Sequence, residues 1–309
     1  MLIEVEHLRK AYGSIVAVDD LTLSVEKGEV FGFLGPNGAG KTTTVKMLLG
    51  LVRPTSGMAR LLDRSPGDPA VMARVGFLPE YFRFHPWLTA ADFLDVHGRL
   101  YGLSTAERRE RIPRLLARVG LADRADSRLG EFSKGMAQRI GLAQALLCEP
   151  EIVFLDEPTS GLDPLGRYEF RDIIRDLRDA GVVVFLNSHY LSEVEVTCDR
   201  VAMVKRGRVV RMGTVHSLAD QAPEIEVVVA GLSDEARDGL ARWGRVRREA
   251  APGGRPSDGV QHLAIAVEHQ DVIPEIANWL VQSGGRIYSL APRRLNLEEL
   301  FLRTMAEDA

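Results

Sequence analysis

The stretch "VFGFLGPNGAGKTTTVKMLLG", Val30 to Gly50, decides the fold. It begins with an apolar run that does not alternate, as a strand buried on both faces would read. It ends in a helical run in which Val45, Leu48 and Leu49 share one side. Between them, Gly35-Pro36-Asn37-Gly38-Ala39-Gly40-Lys41-Thr42 matches G-x-x-x-x-G-K-[ST] in full. Glycines let backbone N–H groups turn inward around phosphates, and the helix N-terminus adds its positive end. In this setting Lys41 reaches the outer phosphates and the Thr42 hydroxyl can hold Mg²⁺. Strand, glycine turn and helix in that order are what separate a phosphate loop from a chance glycine turn.

Upstream, "LIEVEHL" and "DLTLSVEKGE" alternate apolar and polar residues, which predicts a half-buried antiparallel sheet. Downstream, from about Thr89 to Leu121, the pattern turns helical. Thr89 with Asp92, and Ser104 with Glu107, are candidate capping boxes. Ile112, Leu115, Leu116 and Val119 have helical spacing. Pro113 falls inside that pattern and predicts a kink or a new helix start. Arg108, Arg109, Arg111, Arg114 and Arg118 read as a solvated helix face.

Next, short apolar strands alternate with helices. "EIVFLDEP" precedes "GRYEFRDIIRDLRDAG", and "VVVFLNSH" precedes "YLSEVEVTCD". Such crossovers imply a mainly parallel sheet covered on both faces. "RVAMVKRGRVVRMG" reads as a hairpin turning at Arg206-Gly207. Asp156 ends one strand and is placed to hold a metal, directly or through water. Glu157, next to it, is the candidate to polarise an attacking water. His189 closes the neighbouring strand, at the carboxyl edge where ligands of such sheets bind, and is a candidate γ-phosphate contact.

Around "SLADQAPE", Ser217 to Glu224, the composition changes and the motifs stop. The order β-α-β-β-α-β then follows, interrupted by the Gly/Pro-rich loop "APGGRPSDG", and predicts a small ferredoxin-like unit. "NLEELFLRTM" closes it as an amphipathic helix.

The chain has 309 residues, 45% apolar and 27% charged, enough for one large or two ordinary domains. The net charge of -4 argues against nucleic acid as a partner. Cys148 and Cys198 lack metal spacing and read as buried or free thiols in a reducing compartment. No apolar run reaches the roughly 18 residues of a membrane span, and the N-terminus reads as a strand rather than a signal peptide.

"GPNGAGKTT", "EFSKGMAQR", "IVFLDEPTSGLDP" and "FLNSH", in that order, resemble the nucleotide-binding subunit of an ATP-binding-cassette (ABC) transporter. The resemblance covers roughly residues 1 to 215. It implies an α/β P-loop NTPase cassette with antiparallel N-terminal strands over 1–216, a helical subdomain at about 81–150, and an accessory α+β domain over 217–309. ATP and Mg²⁺ are the implied cofactors, with Gly35 through Thr43 on the nucleotide and Thr42, Glu80 and Asp156 on the metal. Tyr12 matches the aromatic that stacks on adenine. Glu80 stands where the family has a glutamine and cannot donate as an amide does. Phe132-Ser133-Lys134-Gly135-Met136 departs from the commonest signature, Leu-Ser-Gly-Gly-Gln, yet keeps Ser133 and Gly135, a hydroxyl and a backbone N–H for a γ-phosphate.

In this family two subunits pack head to tail, so each ATP lies between the phosphate loop of one and the signature turn of the other. "SGLD", Ser160 to Asp163, matches a loop crossing that interface. The signature variant is similar to those of the ABC-2 exporter branch, whose membrane subunits are separate polypeptides. The expectation is a cytoplasmic ATPase, peripheral on the inner face of the cell membrane, homodimeric and docked through residues from about Glu80 to Leu121 on permease subunits. An importer ATPase with a regulatory C-terminal domain, and a soluble cassette acting on ribosomes or DNA, are the alternatives.

Overall fold

The computed structural model describes every residue except 82–83, 221–223, 250–258, 294–295 and 307–309. Residues 221–223 of "SLADQAPE" and nearly all of "APGGRPSDG" lie outside the described residues. The chain divides into two compact units, Met1–Gly213 and Thr214–Ala309.

The first unit opens with β1 (Ile3–Tyr12) and β2 (Ile15–Val25), which pair antiparallel with Tyr12 opposite Ile15. β3 (Val30–Leu34) is buried at every position, and the glycine loop leads from it into α1 (Lys41–Leu48). β4 (Ser56–Leu61) returns to the far side of β1, giving a three-stranded sheet of order β2-β1-β4. Asp68 caps the short α2 (Pro69–Met72), which leads to β5 (Val75–Leu78).

A helical segment follows: α3 (Ala90–Leu100), α4 (Thr105–Arg118) and α5 (Lys134–Leu146). Ser104 and Glu107 form a complete capping box at α4. At α3 only half a box forms. Thr89 accepts from the Asp92 N–H, while its hydroxyl donates to Asp92 Oδ2 at 2.7 Å. Aspartate is one methylene shorter than glutamate and its carboxylate is taken up by that hydroxyl.

α4 runs through Pro113 without a new start. Pro113 is exposed, while Ile112, Leu115 and Leu116 are buried and hold both turns against the core. The arginine row is also less solvated than its spacing predicts. Arg108 binds Asp95 at 2.6 Å, and Arg111 and Arg114 both hold Glu149. Only Arg109 keeps the plain water-facing role, since α4 is tied on two sides by its guanidinium forks.

The remaining elements are β6 (Ile152–Asp156), α6 (Pro164–Asp179), β7 (Val183–Asn187), α7 (Leu191–Thr197), β8 (Arg200–Lys205) and β9 (Arg208–Thr214). They complete a six-stranded sheet of order β5-β6-β7-β3-β8-β9. The β5–β6, β6–β7, β7–β3 and β3–β8 pairs are all parallel. Arg206 (φ 50°) and Gly207 (φ 80°) turn the closing hairpin, the left-handed pair that a two-residue loop requires. Cys148 and Cys198 are both free. Burial raises the Cys148 thiol to about 11.

One apolar core joins the two sheets and α1. Phe185 on β7 sits at its centre, with ring centroids 5.6, 5.3 and 5.3 Å from Phe31, Phe33 and Phe154. Truncating it opens a cavity that three stiff neighbours cannot fill. Phe185→Ala is expected to cost about 3–5 kcal/mol, checked as a lower denaturation midpoint of the full chain. An unchanged midpoint would show that this ring is not central.

The second unit begins with α8 (Val215–Asp220) and β10 (Glu224–Ala230). Next come α9 (Asp234–Asp238), β11 (Gly244–Glu249), β12 (Val260–Val267), α10 (Ile273–Gln282), β13 (Arg286–Arg293) and α11 (Leu297–Ala306). The sheet order is β11-β12-β10-β13, antiparallel throughout, which is the ferredoxin-like arrangement. Ile225, Val227 and Val229 face Leu263 and Ile265 across the strands and pack with Leu240, Ile276 and Leu280. Glu224 is 1% exposed, and Arg247 and Arg303 each donate to its Oε1 at 2.7 Å. α11 is thereby fixed to the sheet by a paired buried charge. The outer strands are β11, with Arg245, Arg247 and Arg248 exposed, and β13, which carries Pro292.

Candidate active site

The carboxyl ends of β3, β6 and β7 lie side by side, since β7 pairs with both β3 and β6. Everything that follows these strands is therefore gathered at one edge of the sheet.

After β3 comes the phosphate loop. Gly38 and Gly40 have φ of +80° and +100°. A Cβ on Gly40 would stand 2.3 Å from the Ala17 carbonyl, and one on Gly35 would stand 2.4 Å from the Val204 carbonyl. Only glycine fits at either place. Around Gly38, by contrast, there is open space. Gly40 caps α1 with no side-chain hydrogen bond, so the first-turn N–H groups are left for a ligand. Lys41 Nζ donates to the Gly35 and Pro36 carbonyls at 2.6 and 3.2 Å. Ala39 is buried, Pro36, Asn37 and Thr42 are exposed, and Thr43 is half-buried in the same turn.

Burial holds the Lys41 ammonium below the usual lysine range, and the Glu157, Asp156 and Glu80 carboxylates pull it partly back. The same group of acids acts on Asp156. Burial pushes its carboxyl up, the Asn187 amide opposes this by donating to it, and Glu80 and Glu157 add to the rise. Asn187 stands directly opposite Asp156 in the β6–β7 register. Sequence reasoning missed it, although one polar residue ending an otherwise apolar strand is a readable signal.

Glu157 is 7% exposed and has φ of 50°, a left-handed backbone that a non-glycine residue adopts only when its surroundings impose it. Its N–H donates to the Asn187 carbonyl at 2.8 Å. Its carbonyl accepts from Gln138 Nε2 at 3.3 Å and from the Ser160 N–H at 3.1 Å. His189 Nδ1 lies 2.7 Å from Glu157 Oε2. The His189 ring rests on Tyr190 at 4.1 Å, and the Arg167 guanidinium covers Tyr190 at 4.7 Å, which sets the tilt of the histidine.

Tyr12 ends β1 on the surface, 49% exposed, with Lys10 Nζ 4.9 Å from its ring centroid. Glu80 follows β5 and is exposed, and the hydrogen bond it takes from Tyr81 raises that phenol. Ser133 caps α5 by accepting from the Met136 N–H at 3.2 Å. Gly135 lies against Gly161. Gly135 thus meets the loop that follows Glu157. Among the described residues, no hydrogen bond or ion pair joins Ser133 or Gly135 to the phosphate loop. Lys41, Asp156 and Glu157 act on one another at this sheet edge, with His189 against Glu157, while Tyr12 ends β1 and the signature turn heads α5.

The arrangement can grip a polyphosphate with backbone donors and an ammonium, and can present a buried carboxylate to water beside it. Among the described residues, no group of three or more His, Cys, Asp or Glu side chains could hold a metal ion. Nor is any helix long and apolar enough to cross a membrane.

Residues 18–160 match the family model described as ABC transporter. The chain is 40% identical over 303 residues to an ABC transporter ATP-binding protein, sll0415, of Synechocystis sp. (strain ATCC 27184 / PCC 6803 / Kazusa), covering 95% of this chain and 79% of the relative. It is 39% identical to the Nod factor export ATP-binding protein I of Cupriavidus metallidurans (strain ATCC 43123 / DSM 2839 / NBRC 102507 / CH34), over 74% of this chain and 76% of that one. A similar solved structure is the dimeric post-hydrolysis state of the ATP-binding cassette MJ0796 bound to ADP and Pi. Its TM-score is 0.64 at 25% identity, over 69% of this chain and 98% of that one.

Proposed function

This chain belongs to the ABC transporter family as an ATP-binding subunit, and from that premise we infer that two copies share their nucleotide sites to power a membrane exporter. It is an ATPase. The observation that carries the reading is the arrangement of the site: Lys41, Asp156 and Glu157 gather at one sheet edge, while the signature turn heads α5 with Gly135 against Gly161 and with no hydrogen bond to the phosphate loop among the described residues. A second copy, packed head to tail, supplies what each half lacks.

ATP lies on the first turn of α1, with its phosphates wrapped by backbone N–H groups of the loop from Asn37 to Thr43 and met by Lys41. Tyr12 stacks on the base. Mg²⁺ belongs with the Thr42 hydroxyl and Asp156, with Glu80 nearby. The fit is chemical: the buried Asp156 carboxyl, raised by its burial and its acidic neighbours, is a hard oxygen donor short of positive charge. When bound, the ion neutralises charge on the transferred phosphoryl group. Glu157 takes a proton from the attacking water, and His189 contacts the γ-phosphate and orients the Glu157 carboxylate. The partner's Ser133-bearing turn closes over the same phosphate. Losing that phosphate removes the differential contact that holds the closed pair, so hydrolysis opens it.

The dimer works on separate permease subunits, with α3 and α4 as the docking region, from the cytoplasmic face of the membrane. Thr214–Ala309 is an accessory unit. Export follows the Nod factor relative, whose printed name carries that direction.

A mixing experiment tests the shared site. Lys41→Ala and Ser133→Ala are each placed on a Glu157→Gln chain. Either variant alone carries a lesion in both sites of its dimer. Together they form heterodimers with both lesions in one site and the other site whole. ATP-dependent co-capture of the two tagged variants, which neither gives with itself, is the expected result. Absence of co-capture at every mixing ratio contradicts the reading.

A further inference from the structure

Lys134 stands where the commonest signature has a glycine, and its spare positive charge has no assigned task. The structure turns it onto its own chain. Lys134 Nζ donates to Ser160 Oγ at 2.8 Å. Its stem lies over Gly161, where a Cβ would stand 2.6 Å from Lys134 Cδ. Gly161 has φ of +87°, so the loop passes under the lysine with no side chain of its own. One turn further along α5, Gln138 is 4% exposed and donates to the Glu157 carbonyl. Residues four apart share one face of a helix. That face therefore holds both ends of the loop from Glu157 to Gly161. Beyond it, Asp163 caps α6 by accepting from the Gly166 N–H at 2.8 Å, so the far end of the loop is anchored as well.

We propose that Lys134 and Gln138 are positioning residues for hydrolysis: through them the helix that meets the partner's nucleotide sets the Glu157 backbone of its own chain. This rests on the shared-site reading above. The head of α5 touches one ATP, and the Glu157 it grips serves the other. The left-handed backbone of Glu157 is what such a grip can fix, because it is held from β7 on one side and α5 on the other. Occupation of one site then bears on the base of its twin through packed and hydrogen-bonded groups with no long path between them.

The test uses the full chain and ATP itself. Lys134→Met keeps the stem and removes the donor. Its kcat should fall about tenfold, with KM for ATP unchanged. Its Hill coefficient for ATP should drop toward 1 from a wild-type value whose ceiling is about 2 for two sites. Ser160→Ala should do the same, and the double variant should be no worse than either single one. Lys134→Arg, which retains a donor, should recover the wild-type Hill coefficient.

Unchanged kcat and Hill coefficient in Lys134→Met, a silent Ser160→Ala, or losses that add in the double variant would overturn the proposal. So would a Lys134→Met, Glu157→Gln chain that no longer pairs in ATP, since Lys134 would then be a phosphate contact. If Glu157→Gln alone fails to pair in ATP, the shared-site reading itself is wrong, and Lys134 is not the cause.

Discussion

Glu157→Gln holds ATP and scarcely turns it over: hydrolysis falls by about 10²–10⁴-fold, the usual contribution of a positioned general base, while affinity for ATP stays. The amide keeps the size and shape of the carboxylate but cannot take the proton of the attacking water. Lys41 and the glycine loop, which grip the phosphates, belong to β3 and α1 and are untouched, while the His189 contact passes from a carboxylate to an amide oxygen. The variant also loses one of the carboxylates that surround Lys41, which lowers the repulsion felt by a triphosphate. With hydrolysis stopped, the bridging phosphate persists, and the protein should run as a dimer in ATP and a monomer without it. Size-exclusion chromatography with quantified nucleotide reads both. A monomer at full ATP occupancy would remove the basis of the shared site.

Lys41→Ala has the second large effect. A hydrogen bond to a charged group is worth about 1.5–3 kcal/mol, so ATP affinity should weaken by roughly 10- to 100-fold, with turnover lost beyond that. The structure gives a further reason for a loss at the upper end. Asp156, Glu157 and Glu80 act together on this one ammonium, and without it three carboxylates face the incoming phosphates unopposed. Equilibrium binding of a fluorescent ATP analogue measures the change, and wild-type affinity would count against the loop assignment.

The halves of the site differed in how far they could be read. The phosphate loop was legible because its glycines answer a backbone demand. Gly40 and Gly35 sit against carbonyls that leave no room for a Cβ, and such constraints survive as spacing. Asp156 was legible because a carboxylate ending an apolar strand has few other uses. The left-handed backbone of Glu157 was not, since it arises from Asn187 and Gln138, far apart in the chain and joined only by packing. The direction of Lys134 was hidden for the same reason. The arginines of α4 misled because periodicity places residues on a helix face without saying what lies opposite. Glu149, 35 residues past Arg114, decides that.

The open borders of the small C-terminal sheet bear on how this chain survives its own synthesis. A bare strand rim invites another chain to zip onto it, the first step toward fibrous self-association. Arg245 on the β11 rim sets a like charge against a second copy, while Arg247 and Arg248 are paired with Glu224 and Asp234, and the proline in β13 lacks a hydrogen to offer an added strand. Both rims are thereby guarded against mispairing while nascent copies crowd together.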